Sequence, residues 1–403
     1  MKVLQINTTA NSGSHGRIAE DIGRLVIERG GESIIAYART VNESKSELIK
    51  IGNKLDLAFH LVKTRLFDRH GFGSYGATKA LVRKIDDLDP DIIHFHNLHG
   101  YYLNIQVLFD YLKKRTKPLV WTFHDCWPFT GHCCHFEHVS CNKWKSQCFD
   151  CPLTSAYPIS WFADNSRKNF QQKKELFSGM KNMILVSPSE WLARFLEKSF
   201  LSEYKIKVIN NGVDIDNFKP VSSHAIKEKY KIDRKYIIGV AGTWTKNKGL
   251  GDFIKLRSIL DKEIEIVLVG LTGKHMKQAG HEIKGISRTE NIGELAALYS
   301  GAQAFINPTY VDNFPSVNIE SLACGTPVIT YKTGGSPESV DDNTGIVVEK
   351  GNIRELHNAI WEIINNSDRY SATVCRESAL RNFSAKDRFE EYLELYYECL
   401  VKE

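Results

Sequence analysis

Two carboxylates, Asp312 and Glu320, stand eight positions apart in the stretch 307–338, NPTYVDNFPSVNIESLACGTPVITYKTGGSPE. An apolar, strand-like run ends at Pro308, a polar loop follows, and a helix is expected to start near Ser316. The amino end of a helix offers N–H groups without intrahelical partners and the positive end of the dipole, so it suits a diphosphate. Ser316, Val317 and Asn318 would form that first turn, Glu320 would accept hydrogen bonds from ribose hydroxyls, and Asp312 would face a sugar. Gly325 closes the helix, and Gly334-Gly335 supplies a turn at the same mouth. The plainer reading of the same residues is a helix start with two surface acids.

Other residues invite chemistry. His124-Asp125 ends an apolar run, and open α/β sheets bind ligands at the carboxyl edge of their strands. In HFHNLHGYY, alternation puts His94 and His96 on one face; His99 and Tyr101 are acceptor-side candidates, and His94 is read as structural. Gly13-Ser14-His15-Gly16-Arg17 joins a strand to a helix, and its glycines let backbone approach a ligand closely; a simple turn is the alternative. Six of the nine cysteines (Cys126, Cys133, Cys134, Cys141, Cys148 and Cys151) fall within 126–151. The Cys148–Cys151 CxxC, with Cys133 (or Cys134) and Cys141, would give four thiolates to a structural zinc, with His132, His135 and His138 as spare ligands. Disulfides and free thiols are the alternatives. GFGSYG at 71–76 is a formal GxGxxG, but LFDRH precedes it instead of a strand, so no dinucleotide site is expected.

The elements that must hold these residues alternate short apolar runs with amphipathic stretches, the pattern of an α/β chain with largely parallel sheets. Strands are expected at 2–7, 33–38, 91–97, 118–124 and 183–187, then at 236–242, 264–270, 304–308, 327–331 and 345–348. Helices are expected at 250–261, 291–301, 316–323 and 353–365. A length of 403 residues accommodates two cores of about 200 residues each. The turn-rich Asn210-Asn211-Gly212-Val213-Asp214 suits an interdomain connection. The expected domains are 1–203, carrying the Cys-rich loop 126–151, and 204–384. A terminal helix is expected at 385–403, packing back on the first domain.

The order of loop, acid, helix, second acid and Ala323-Cys324-Gly325-Thr326-Pro327 resembles glycosyltransferase family 4. So do the first-strand glycine loop, the His-Asp pair, the Asn-Gly-Val-Asp turn and Lys248-Gly249. The resemblance implies a retaining, metal-independent enzyme of GT-B fold, two Rossmann-like domains with parallel sheets facing across a cleft. It makes His124 and Asp312 the catalytic candidates: His124 beside the anomeric centre, Asp312 on sugar hydroxyls where the family usually has glutamate. It puts Lys248 on the donor diphosphate, Glu320 on its ribose, Gly16 against the donor and Arg288 near the base. Thr243 stands where the family has arginine, and Lys246 is the substitute cation at hand. The words HDCWPFTGHC resemble a branch that builds bacterial exopolysaccharides of the colanic-acid type.

Composition is that of an ordinary soluble globular chain: 42% hydrophobic, 25% charged, formal net charge +5, too little for a dedicated nucleic-acid binder. The opening MKVLQIN enters a strand directly, and no run approaches the roughly 18 apolar residues that span a bilayer. A cytoplasmic protein is expected, with peripheral contact at the inner face of the membrane as an option for the basic patches Lys113–Lys117 and Arg167–Lys174. The expected partners are a nucleotide-diphosphate sugar and a glycan or lipid-linked acceptor; no cofactor is expected for catalysis. A nucleotide-sugar epimerase on the same fold and a non-catalytic zinc-held interaction protein are the rival functions.

Overall fold

The computed structural model describes residues 1–401; the last two positions of the expected terminal helix lie outside them. Among the described residues the strands form two parallel sheets. The first holds β1 (Lys2–Ile6), β2 (Glu32–Tyr37), β3 (Glu47–Lys50), β4 (Ile92–Phe95), β5 (Leu119–Thr122), β6 (Met183–Ser187) and β7 (Lys205–Val208), in the order β3-β2-β1-β4-β5-β6-β7. The second holds β8 (Lys235–Val240), β9 (Ile264–Val269), β10 (Ile283–Ile286), β11 (Ala304–Asn307), β12 (Val328–Tyr331) and β13 (Gly345–Val348), in the order β10-β9-β8-β11-β12-β13.

The inner strands are near-continuous apolar runs because helices cover both faces of a parallel sheet. β4 (IIHF) and β5 (LVWT) are buried at every position. Three strands go beyond the sequence expectation: β3 (ELIK), β7 (KIKV) and β10 (IKGI). All three are edge strands. An edge strand is half-solvated and carries charge that discourages pairing with another chain, so its apolar signal is broken.

The chain divides into two compact units, one of residues 1–210 with the chain from Phe389 onward, the other Asn211–Arg388. β7 extends the first unit beyond residue 203. The terminal helix Ala385–Leu400 contributes Tyr392 and Tyr396 to the first unit's core, where Tyr396 Oη lies 2.6 Å from His94 Nδ1 and the Tyr392 hydroxyl 3.2 Å from Thr122 Oγ1.

Residues 126–165 contain only single-turn 3-10 helices at Trp127–Phe129, Glu137–Val139 and Lys143–Lys145. Phe129, Phe136 and Trp144 pack this segment inward, with Phe136 and Trp144 stacked at 5.1 Å. Lys173 is buried beneath it, donating to Trp127 O (2.7 Å) and Thr130 O (3.0 Å) with its ammonium over the Trp127 ring. Burial pushes that amine down to about 7. The discarded GxGxxG has a packing reason: a Cβ on Gly71 would lie 2.8 Å from the Trp127 ring, and one on Gly73 2.3 Å from that of His60.

In the second unit, Arg376 of the helix Ala372–Phe383 donates to three carbonyls, Phe218 (2.6 Å), Ala323 (2.9 Å) and Ile215 (2.8 Å). It thereby ties the end of the helix Ser316–Ala323 to the chain's entry into the unit. Arg376→Met keeps the aliphatic stem and strands those acceptors. It should lower stability by about 2 kcal/mol, read as a lower urea midpoint with unchanged slope.

Candidate functional site

In the second sheet the strand order reverses between β8 and β11, whose following connections leave in opposite directions. Such a divergence opens a crevice at the carboxyl edge, the usual ligand site of open α/β sheets. After β8 the chain makes the 3-10 turn Lys246–Lys248; after β11 it runs through Pro308–Pro315 into the helix Ser316–Ala323. The two connections are joined by Tyr310 N–H to Asn247 O at 2.8 Å. Gly249, at φ +75°, passes so close to Pro308 that a Cβ would lie 2.3 Å from its carbonyl oxygen. From the other side Gly334, at φ +58°, leaves only 1.8 Å between a Cβ and Asp312 O. Gly335 N–H donates to that oxygen at 3.1 Å, and Thr333 Oγ1 donates to Thr309 O at 2.6 Å. The acidic loop is thus clamped on both sides.

Within it, Lys248 Nζ lies 2.6 Å from Asp312 Oδ2, and Asp312 Oδ1 accepts the Asn313 N–H at 2.9 Å. The Lys248 and Asp312 side chains keep 35% and 20% of their surface exposed, so the pair is open to solvent. Pro315 precedes the helix, and no side chain caps its amino end. Ser316 and Val317 are half-buried there. Asn318 is engaged inside the fold: its N–H bonds to Pro315 O, its Oδ1 accepts from Asn307, and its Nδ2 donates to Ser339 Oγ at 2.8 Å. Glu320 is largely buried and accepts from the Tyr299 hydroxyl at 3.3 Å. Arg288 is exposed just beyond β10, on the same carboxyl edge.

In the first unit the order reverses between β1 and β4. The glycine loop follows β1, and Gly16 falls in the first turn of the helix Gly13–Glu28, where a Cβ would lie 2.6 Å from Thr9 Oγ1. That contact is a packing reason for glycine. Imidazoles gather at this edge. His124 Nε2 lies 3.2 Å from His96 Nδ1 with the rings near parallel, and the His15 ring is 5.7 Å from that of His124. Burial, reinforced by neighbouring imidazoles, drives His124 and His96 well below the usual range and lowers His15 to about 4. His94 and His60 fall to about 3, mainly by burial. His124 is therefore a neutral hydrogen-bonding group at pH 7.

His99 and Tyr101 come together in an aromatic box with His70, Tyr157 and Trp127. Tyr101 adopts φ +71°, an unusual backbone state for a bulky residue. His99 Nε2 lies 2.6 Å from Asp125 Oδ2. Burial acts to raise the Asp125 carboxyl, but His99, His135 and the Trp127 N–H together hold it well below the usual carboxylate range. His70 and Tyr157 were not singled out from the sequence, and His15 was read only as part of the glycine loop. His70 directly precedes the discarded glycine segment, and Tyr157 belongs to no recognisable pattern.

Among the described residues no disulfide joins any of the nine cysteines. Cys133, Cys141, Cys148 and Cys151 line one cavity together with His132. His132 Nδ1 lies 2.5 Å from the buried Asp68 Oδ1, and its buried Nε2 has no hydrogen-bond partner. Among the described residues, the group that brings three ligand atoms within 4.8 Å of one another is a different one, His99, Asp125 and Cys134.

The neutral histidines set a pH window. Unfolded imidazoles titrate near 6.5, while His15 holds out to about 4 and His60 and His94 to about 3. Between these values the unfolded chain binds more protons, so stability falls as pH falls. His15 alone accounts for on the order of 3 kcal/mol. Thermal melts should drop progressively below pH 6.5, and His15→Gln should remove part of that drop; a flat profile refutes the assignment.

Residues 16–217, half of the chain, match the model of Glycosyltransferase Family 4, and residues 222–379 match that of Glycosyl transferases group 1. A protein named for colanic acid biosynthesis, WcaC of Escherichia coli, is 25% identical over 98% of this chain and 99% of its own length. The capsular polysaccharide glycosyltransferase CapM of Staphylococcus aureus is 25% identical over 52% of this chain and 60% of its own. Among solved structures, sucrose-phosphate synthase from Thermosynechococcus elongatus superposes with a TM-score of 0.74 at 16% identity, covering 100% of this chain and 99% of that one. HepE of Anabaena, solved with UDP and glucose, gives 0.69 at 16% identity, covering 98% and 99%.

Proposed function

The chain belongs to glycosyltransferase family 4, and from that premise we propose that it moves a sugar, with retention of configuration and without a catalytic metal, from a nucleoside-diphosphate sugar to a glycan or lipid-linked glycan during surface-polysaccharide assembly. The GT-B architecture of two parallel α/β units agrees with this. The names of WcaC and CapM support the polysaccharide setting, and HepE with UDP and glucose supports the donor class. A cytoplasmic location belongs to the same proposal; among the described residues no helix is long and apolar enough to cross a membrane.

The observation that carries the reading is Lys248 held 2.6 Å from Asp312 beside the uncapped helix start at Ser316. A diphosphate there would receive the N–H groups of Ser316 and Val317 and the ammonium of Lys248. These charges stabilise the leaving group as the glycosidic bond breaks, the part a metal would otherwise play. Asp312 then serves as the counter-ion that orients Lys248 and as a partner for sugar hydroxyls. Glu320 takes the ribose and Arg288 the base side. Departure and attack occur on one face of the sugar, with the leaving phosphate accepting the acceptor's proton. On the first unit, His99 and Tyr101 are assigned to the acceptor, and His124 acts as a neutral hydrogen-bond partner.

Thermal shift against UDP-, GDP- and ADP-sugars tests the donor. One class should raise the melting temperature, and Lys248→Met should abolish that shift and lower kcat/KM by about a hundredfold or more, with the fold intact. If none of the three stabilises the wild type, the donor assignment fails.

A structural zinc is the finer reading of the Cys-rich loop. Thiolates with a carboxylate-oriented histidine form a donor set that zinc favours; the reading is supported by the cavity that Cys133, Cys141, Cys148 and Cys151 line with His132, whose Nε2 has no hydrogen-bond partner, although among the described residues no three of their ligand atoms lie within 4.8 Å of one another. The ion would hold a segment that has little regular structure of its own. Elemental analysis of purified protein should give one zinc per chain, lost in Cys148→Ser/Cys151→Ser; a metal-free wild type that melts normally refutes it.

A further inference from the structure

Gln5 breaks the apolar run of β1 (KVLQI) and is fully buried. A parallel strand covered on both faces has no packing need of an amide, and a buried amide is costly unless both of its ends are paired. Here both are. Gln5 Nε2 donates to Ala19 O at 2.7 Å, so the other end presents an oxygen, and that Oε1 lies 2.9 Å from His96 Nε2.

This contact fixes protons along a chain. An amide oxygen accepts and does not donate, so His96 Nε2 carries the hydrogen. The His96 ring is neutral at pH 7, which leaves its Nδ1 bare. His124 Nε2, 3.2 Å from that Nδ1, must then be the donor. His124 is neutral as well, so its own Nδ1 has no proton.

A second chain, built from other residues, reaches the neighbouring ring. Asn7 Oδ1 accepts the backbone N–H groups of Thr8 (2.9 Å) and Asn97 (3.4 Å), so it is the amide oxygen that faces His15 Nδ1 at 2.9 Å. His15 Nδ1 therefore carries the hydrogen, and Nε2 of this neutral ring is bare. That is the reverse of the tautomer a free histidine favours.

Gln5, Asn7 and His96 are buried, whereas His15 and His124 are half-buried, with ring centroids 5.7 Å apart. Among the described residues neither His124 Nδ1 nor His15 Nε2 makes a hydrogen bond. Two bare nitrogens on adjacent rings accept hydrogen bonds and repel the oxygens of a phosphate or carboxylate. The matching ligand must donate, as the hydroxyls of a sugar do.

We propose that Gln5, His96 and Asn7 are positioning residues that fix the protons of His124 and His15, so that His124 Nδ1 and His15 Nε2 stand at this sheet edge as a paired acceptor for sugar hydroxyls. The choice of ligand rests on the sugar-transfer reading; the placement of the protons does not.

Nitrogen NMR of the full chain, isotope-labelled at histidine and without substrate, reads each proton directly, with signals assigned from His15→Gln and His124→Gln. At pH 7 His96 and His124 should be protonated at Nε2 and His15 at Nδ1. Asn7→Leu should move the His15 proton to Nε2. His96→Phe should release His124 into a mixture of tautomers and lower kcat/KM of transfer about tenfold, the worth of one oriented hydrogen bond. Hydrolysis of the sugar nucleotide without acceptor separates the sources: it falls in His96→Phe where the hydroxyls are the donor's and is unchanged where they are the acceptor's. A wild-type proton on His124 Nδ1 or His15 Nε2 overturns the proposal, even if neither variant folds. So does a folded His96→Phe that transfers as wild type does. Failure of the donor screen leaves the wild-type spectrum as it is, so the two readings fall separately.

Discussion

The loop between β11 and the helix Ser316–Ala323 has no freedom on either side. Gly249 and Gly334 both hold positive φ, and a Cβ on either would fall within 2.3 Å of a backbone oxygen of that loop. Only glycine fits such an approach. Because the backbone is clamped, Asp312 meets Lys248 at a fixed spot, and the helix start is aimed without a capping side chain. Two acids on an unclamped loop would be mobile surface charges.

The first unit follows another logic. Its sheet edge gathers His15, His96 and His124, and burial outweighs every other influence on their titration. The imidazoles are accordingly neutral; His96 and His124 bond to each other, His96 to Gln5 and His15 to Asn7. Asp125 differs because His99 and a backbone N–H compensate the burial of its charge. One edge therefore holds neutral rings beside a fixed carboxylate, an arrangement suited to polar, uncharged ligands such as sugars.

The inner strands were legible because a parallel strand covered on both faces must be apolar throughout. β3, β7 and β10 were not, since an edge strand needs only one apolar face and carries charge. The acidic loop and its helix could be read from order and spacing. The partnership of Lys248 with Asp312 could not be read that way, because 64 positions separate them. Nor could the engagement of Asn318 with Asn307 and Ser339 be read, for it depends on how the helix seats against β11.

Sequence by itself determined the doubled α/β plan, the residue types at the carboxyl edges and the family to which they belong, because periodicity, caps and turn residues are local properties of a chain. Tertiary structure alone decided which of those residues meet. It set Lys248 against Asp312, gave His132 a buried carboxylate and left its other nitrogen unpartnered, and fixed the helix Lys54–Phe67 with its apolar side outward. A helical pattern states that a helix has an apolar face; which way that face turns depends on what lies beneath it, here the contacts that hold His60 inward.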